Sequence, residues 1–63
     1  MKISKEYEGK RIFIRLRTGG SYTGVVKTLL PSIMTLVLDN GTKVLINNGM
    51  IASVQELLEE EKQ

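Results

Sequence analysis

The feature that most constrains this chain is an unbroken succession of short alternating segments over residues 11–54. In residues 11–17, the apolar side chains of Ile12, Ile14 and Leu16 occupy every second position, with arginine or phenylalanine between them. Because successive side chains of a strand point to opposite faces of a sheet, this spacing predicts a half-buried strand. Similar segments follow at residues 22–29, 33–38, 42–46 and 50–54. The pattern predicts five consecutive strands and an all-β fold.

Turn signals separate these segments. Residues 18–21 read Thr-Gly-Gly-Ser and residues 39–41 read Asp-Asn-Gly, and both favour tight hairpins because glycine reaches positive φ. Pro31 ends the second segment, since proline has no N–H for a ladder, and residues 47–49 (Asn-Asn-Gly) predict another turn. Gly24 interrupts a strand, which predicts a bulge or bend. We therefore expect a small antiparallel sheet that is strongly bent into a barrel.

The two ends of the chain differ from the part that forms strands. Residues 1–9 are polar, and Ser4 is placed to cap a short helical turn. Residues 55–63 favour helix and are acidic, with Glu59–Glu61 in a row as a solvated tail. The expected organisation is a single domain. It comprises an N-terminal segment (1–9), the barrel (10–54) and an acidic C-terminal tail (55–63).

Composition argues against catalysis. The chain has no histidine and no cysteine, which removes the usual nucleophile–base pairs and most transition-metal sites. Asp39 is the sole acid between Gly9 and Gln55, and it lies in a turn that favours aspartate for backbone reasons. We therefore expect a protein that is not an enzyme, uses no metal or other cofactor, and acts on no small-molecule substrate.

Length sets a second limit. A chain of 63 residues buries only about 60% of its unfolded surface, so a single subunit would be only marginally stable. We therefore expect partners, in the first place copies of itself. No segment approaches the roughly 20 apolar residues of a membrane helix. The N-terminus also has no charged-then-apolar signal pattern. The expectation is a soluble cytoplasmic protein that does not bind membranes.

Charge is distributed unevenly along the sequence. Residues 1–49 carry eight Lys or Arg against three Asp or Glu, and residues 50–63 carry one Lys against four Glu. A basic body is compatible with binding a polyanion, and equally with a solvated surface. Arg11, Arg15 and Arg17 share one strand face, where they either contact phosphates or form an ordinary exposed face.

Several of these segments resemble, in order, the signature motifs of the Sm and Sm-like proteins, especially archaeal-type members. The first motif resembles Lys10–Leu16, Gly19–Val26 with its Tyr22-Thr23-Gly24, and Met34–Asp39. The second motif, a short strand ending in Ile-Arg-Gly before another apolar strand, resembles Val44–Val54.

The resemblance implies a five-stranded barrel of the SH3 type whose fourth strand pairs with the fifth strand of a neighbour. The implied assembly is a homo-hexameric or homo-heptameric ring. Such pairing would also satisfy the free backbone groups of two sheet edges.

The resemblance further implies a site for single-stranded, U-rich RNA and a role in RNA processing or metabolism. Family members bind RNA through the loop between strands two and three and the loop between strands four and five. Carried over by motif position, the RNA-binding residues are Ser32, Ile33 and Thr35 in the first loop and Asn47 and Asn48 in the second. The family pattern there is Asp-x-His-Met-Asn and Arg-Gly, so most polar positions have changed.

These changes predict weaker recognition of uracil. Stacking of a base on an aromatic ring contributes about 1–3 kcal/mol, and Ile33 has no π face. Thr35 keeps one hydroxyl where the family has an amide, and Asn47 is neutral where the family has arginine. A second interpretation of residues 47–49 is a simple turn in which asparagine adopts left-handed geometry.

Three functions follow from these observations. The first is a ring that binds single-stranded RNA. The second is an oligomeric scaffold with the same fold that has lost its nucleotide pocket. The third is a monomeric or dimeric barrel that contacts duplex nucleic acid or ribosomal RNA through Arg11, Arg15 and Arg17.

Among the remaining side chains, Phe13 and Tyr22 are expected to pack rather than stack on bases. Met34 and Met50 are expected to fill core or subunit contacts.

Overall fold

A computed structural model describes residues 3–58 of the chain. Within this range the fold is all-β, as predicted, with two short 3-10 helices. The strands are β1 (Arg11–Leu16), β2 (Ser21–Leu29), β3 (Ile33–Leu38), β4 (Lys43–Asn47) and β5 (Ile51–Glu56). The 3-10 helices cover Lys5–Tyr7 and Asn48–Met50. Each of the five strands expected from the alternation is therefore present.

The five strands form one open antiparallel sheet in the order β4-β3-β2-β1-β5. Consecutive strands are neighbours from β1 to β4, and β5 returns to pair with β1. As a consequence β4 and β5, which follow one another in the sequence, form the two opposite edges of the sheet.

One face of the sheet carries the apolar core. On β1, Ile12 and Ile14 are fully buried, whereas Arg15 on the other face is exposed, as the alternation predicts. Burying such a side chain contributes about 1.5–3 kcal/mol, which is an upper estimate because unfolded chains are already partly compact. Met34 lies in the core, as expected from the sequence. The buried apolar residues are Ile12, Ile14, Val26, Leu29, Met34, Leu36, Ile46 and Ile51.

Gly24 is required by the close approach of β2 and β3. A Cβ atom at this position would overlap the carbonyl oxygen of Val37, so no other residue fits without moving the backbone. The sequence predicts a bulge or a bend at Gly24; the register with both neighbouring strands is regular there, so the bulge is not at that residue, and the bend stays a prediction. The irregular register instead falls between Val26 and Thr28, where an extra residue of β2 increases the local twist.

The two predicted hairpin turns use glycine as expected. Gly19 has a φ of 103° between β1 and β2, and Gly41 has a φ of 90° between β3 and β4. In the second turn, the side-chain oxygen of Asn40 also accepts a hydrogen bond from the backbone N of Thr42 at 2.9 Å. Both turns are therefore closed by contacts between residues that are close in sequence.

The N-terminal segment closes the far end of β2. Ser4 caps the first 3-10 helix, as predicted, because its hydroxyl oxygen accepts a hydrogen bond from the backbone N of Glu6. The Glu8 carboxylate then accepts a hydrogen bond from the backbone N of Leu29 at 2.8 Å. The ammonium group of Lys5 donates to the carbonyl oxygen of Leu29 at 3.3 Å. These side chains extend the hydrogen bonding of β2 beyond its ladder.

At the other end of the chain, β5 is longer than the sequence suggests. Gln55 and Glu56 belong to the sheet rather than to a helix-favouring tail. The backbone N of Leu57 still donates to the carbonyl oxygen of Arg11 at 2.8 Å, so the pairing with β1 passes the predicted boundary. The acidic run Glu59–Glu61 lies outside the described residues.

Candidate functional site

The loop between β2 and β3 and the connection between β4 and β5 meet at one corner of the sheet. Ile33, at the start of β3, is the register partner of Asn47, at the end of β4. The backbone N of Asn48 donates to the carbonyl oxygen of Ser32 at 2.9 Å. Thr35 lies further along β3 on the same face as Ile33. The structure therefore brings together the five residues that the resemblance assigns to RNA.

The two asparagines of this corner have different environments. Asn47 is exposed, and its side-chain oxygen accepts a hydrogen bond from the backbone N of Gly49 at 2.8 Å. Asn48 is only 3% exposed, and its side-chain nitrogen donates to the carbonyl oxygen of Leu30 at 3.0 Å. The predicted contact of Asn48 with RNA stays a prediction; the contacts observed are with the protein's own backbone.

The alternative interpretation of residues 47–49 as a left-handed asparagine turn is wrong. Asn47 has a φ of −73°, and no residue other than glycine has positive φ within the described range 3–58. Residues 48–50 instead form a 3-10 helix with Asn47 as its cap. The segment is therefore held by specific side-chain contacts rather than by a residue that tolerates unusual backbone geometry.

The part of this corner formed by residues 30–35 and 46–50 is neutral and partly apolar. Ser32 and Ile33 are exposed, and Thr35 is half-buried. Residues 30–35 and 46–50 contain no Asp or Glu, so no carboxylate from these segments opposes an approaching phosphate. What these side chains offer is a hydroxyl, an amide and an aliphatic contact.

The three arginines of the β1 region make three different contacts. Arg11 forms an ion pair with Asp39 at 2.8 Å. The guanidinium carbon of Arg15 lies 5.9 Å from the ring centroid of Phe13, which is within the range of a cation–π contact. Arg17 lies beyond the end of β1, and its Nε donates to the carbonyl oxygen of Gly49 at 3.0 Å. Their contact with phosphates stays a prediction.

Arg17 belongs to this corner, although the sequence analysis assigned it to the exposed face of β1. Its backbone N also donates to the carbonyl oxygen of Met50 at 2.8 Å, so both its main chain and its side chain hold the β4–β5 connection. Alternation grouped Arg17 with Arg11 and Arg15. Nothing in the sequence indicates a contact between residues 17 and 49, because it depends on how the sheet brings distant segments together.

An apolar groove lies beside the corner, along the edge strand β4. Its lining includes the exposed side chain of Met50 and the half-buried side chains of Leu16, Tyr22 and Val44. Tyr22 therefore packs, as expected, although on the rim of the core. The lining residues are Leu16, Tyr22, Val44, Leu45, Ile46, Asn47 and Met50.

Over residues 3–58, no group of three or more acidic side chains is arranged to hold a metal ion. Across the same part of the chain, no helix has the length and apolar character needed to cross a membrane.

No protein-family profile, curated protein or solved structure matches this sequence. The relationship to Sm-like proteins therefore stays a prediction based on the motifs quoted above.

Proposed function

We propose that this chain is a non-enzymatic, cytoplasmic Sm-like protein that assembles with copies of itself and binds single-stranded RNA. The observation that carries the proposal is the junction of the β2–β3 loop with the β4–β5 connection. There Ile33 pairs with Asn47, and the backbone N of Asn48 donates to Ser32. Two loops joined in this way present adjacent hydrogen-bonding groups and an aliphatic side chain, which suits an unpaired base better than a duplex.

The length of the β4–β5 connection supports a strongly bent, barrel-like sheet. β4 and β5 are opposite edges, so in a flat sheet four strand spacings, about 19 Å, would separate them. The chain passes from Asn47 to Ile51 through the single 3-10 turn Asn48–Met50. Four residue steps span at most about 14 Å. Curling of the sheet brings the edges within this distance.

The backbone of the edge strand β4 supports pairing with a second copy. The β3–β4 ladder is hydrogen-bonded at both of its ends through Thr42 and Asn48. Because hydrogen-bonded and non-hydrogen-bonded pairs alternate along an antiparallel ladder, Leu45 directs its N–H and C=O groups away from the sheet. On β5, the bond from Leu57 to Arg11 implies by the same alternation that Val54 directs its backbone groups outward.

The burial of side chains on β4 and β5 supports the same pairing between two copies. Leu45 is 72% exposed, on the face opposite the core residue Ile46, whereas Val54 is half-buried against the core. Residues opposed in an antiparallel pair project to the same side. If Leu45 pairs with Val54 of a second copy, the face of β4 opposite its own core lies on the same side as the core face of the second copy. Leu45 then packs against the core of that second copy. Burying one leucine in this way contributes about 2 kcal/mol.

RNA binding is tested with the full chain by fluorescence anisotropy on oligo-U and oligo-A. We expect micromolar or tighter binding of oligo-U at about 50 mM salt, weakening as salt rises because phosphate contacts release counterions. Absence of binding to both oligonucleotides at micromolar protein and low salt would remove RNA from the proposal.

Assembly is tested by native mass spectrometry of the wild type, Leu45→Lys and Val25→Lys. Both wild-type residues are exposed and apolar, but Val25 lies on the interior strand β2, which has no free edge. We expect a hexameric or heptameric mass for the wild type and for Val25→Lys, and smaller species for Leu45→Lys. A wild type that remains a single subunit at working concentration would contradict the ring.

The scaffold function is a second candidate, favoured by the chemistry of the corner. Ile33 provides no stacking surface, and the amide of Asn48 is engaged with Leu30. Under this alternative, the ring forms but purifies with a stoichiometric protein partner and without nucleic acid. Ring formation combined with failure to bind either oligonucleotide would favour this candidate over the first.

A further inference from the structure

Asn48 contacts three consecutive residues of the opposite loop. Its side-chain nitrogen donates to the carbonyl oxygens of Leu30 at 3.0 Å and Pro31 at 3.4 Å. Its backbone N donates to the carbonyl oxygen of Ser32 at 2.9 Å. The residue is 3% exposed, so these bonds lie away from bulk solvent, where each is worth more and is costly to lose.

We propose that Asn48 is a positioning residue, which sets the separation of the two loops and does not touch the nucleotide. This assignment differs from the direct RNA contact that the family resemblance implies for the same position. The structural part of the inference stands on the observed bonds, and its nucleotide-binding part rests on the proposed function.

The local backbone explains why a side chain at position 48 is needed to bond the two loops to each other. Pro31 has no N–H, so the β2–β3 loop cannot continue the ladder through it. On the facing side, the chain leaves the ladder at Asn48 and enters a 3-10 helix. A short carboxamide supplies the donors that reach the loop carbonyls. An aspartate has no donor when ionised, and a glutamine is one methylene longer.

The exposed residues of the candidate site lie on the two sides of this link. Ser32 lies in one loop with Ile33 directly after it, and Asn47 precedes the other connection. Their separation determines the shape of the space offered to a base. Loss of the two side-chain bonds, with the backbone bond to Ser32 retained, changes this shape but leaves the charge of the protein unaltered. It should therefore affect discrimination between bases and not the attraction of phosphates.

The test compares the wild type with Asn48→Ala and Asn48→Gln, using oligo-U and oligo-A over a range of salt concentrations. For Asn48→Ala, we expect the Kd for oligo-U to rise about tenfold, with the U-to-A preference falling toward one. The slope of log affinity against log salt should not change. For Asn48→Gln, which keeps the donors but displaces them, we expect an intermediate loss of preference.

Two control variants separate positioning from stability. Asn40→Ala removes an exposed asparagine that also precedes glycine, and should leave affinity and preference unchanged. Ile14→Val removes one methylene from a fully buried side chain of β1, and should lower stability while the U-to-A preference is kept. If Asn48→Ala keeps the wild-type preference, or loses no more of it than Ile14→Val does, the inference is overturned.

Amide hydrogen exchange separates failure of this inference from failure of the proposed function. If the wild type binds neither oligonucleotide, the proposed function fails and exchange alone decides the positioning role. Exchange also decides it if the wild type binds oligo-U and oligo-A equally. The backbone N of Leu30 donates to Ile33 within the loop at 2.9 Å, and that of Val26 donates to Lys10 at 3.0 Å. In Asn48→Ala, we expect the Leu30 amide to exchange about tenfold faster and the Val26 amide to be unaffected. Unchanged exchange at Leu30 overturns the inference.

Discussion

Two connections of this molecule contain the same dipeptide and fold differently. The turn between β3 and β4 reads Asp-Asn-Gly over residues 39–41, and the connection between β4 and β5 reads Asn-Asn-Gly over residues 47–49. In the first, Gly41 has a φ of 90° and the asparagine before it is exposed. In the second, the glycine has no positive φ, and Asn48 is buried within a 3-10 helix.

The difference follows from where the flanking strands lie. β3 and β4 are neighbours in the sheet, so a tight turn joins them and local backbone preference is sufficient. β4 and β5 are opposite edges, and their connection must also pass the β2–β3 loop and the end of β1. Contacts with Leu30 and Arg17 therefore determine its conformation. An Asn-Gly pair predicts a hairpin only where the strands on either side are adjacent.

The largest expected effect is at Asn48. Replacement by alanine leaves the carbonyl oxygens of Leu30 and Pro31 without this donor, and should lower the free energy of unfolding by about 2–3 kcal/mol. The measurement is urea denaturation followed by circular dichroism at fixed protein concentration, because self-association would make stability depend on concentration. A loss below about 0.5 kcal/mol would show that the second connection is held as locally as the first.

The parts of the fold that depend on neighbours in sequence were predictable. Alternation identified the strands, glycine marked the positive-φ positions at Gly19 and Gly41, and Ser4 was recognised as a cap. The burial of Asn48 and the placement of Arg17 were not predictable. Their partners lie 18 and 32 residues away, and a single sequence carries no signal for such pairs. For the same reason, the motif resemblance located the candidate corner but not the orientation of each side chain.

The two glycines provide the next test of the comparison. Gly41→Ala places a Cβ atom on a left-handed residue and should cost about 1–2 kcal/mol. Gly49 has no such backbone requirement, and a Cβ atom there would lie 3.2 Å from the side-chain oxygen of Asn47. That small conflict is offset by the lower entropy of the unfolded alanine chain, so Gly49→Ala should change stability by less than about 0.5 kcal/mol. Equal costs at the two positions would mean that both connections are governed by the same local geometry.

A smaller effect is expected at Arg17. Arg17→Gln removes the exposed bond from Nε to the carbonyl oxygen of Gly49 but keeps the backbone bond to Met50. Because the lost bond is solvent-accessible, stability should fall by only about 0.5–1 kcal/mol. Lys27→Gln serves as the control, since Lys27 is an exposed cation on β2, and Arg15 is not suitable because its guanidinium lies over the ring of Phe13. Equal stability of the two variants would show that the guanidinium of Arg17 does not hold the β4–β5 connection.

The smallest effects should come from the asparagines that make the same local bond in the two connections. The side-chain oxygens of Asn40 and Asn47 each accept a hydrogen bond from the backbone N two residues later, at 2.9 and 2.8 Å. Alanine at either position should therefore cost a similar amount, about 0.5 kcal/mol, because both bonds are exposed. Only Asn47 lies at the proposed RNA site. The two variants should match in urea denaturation, and Asn47→Ala alone should weaken oligo-U binding in anisotropy. Equal binding by both variants would leave the second connection with a structural role and remove Asn47 from the site.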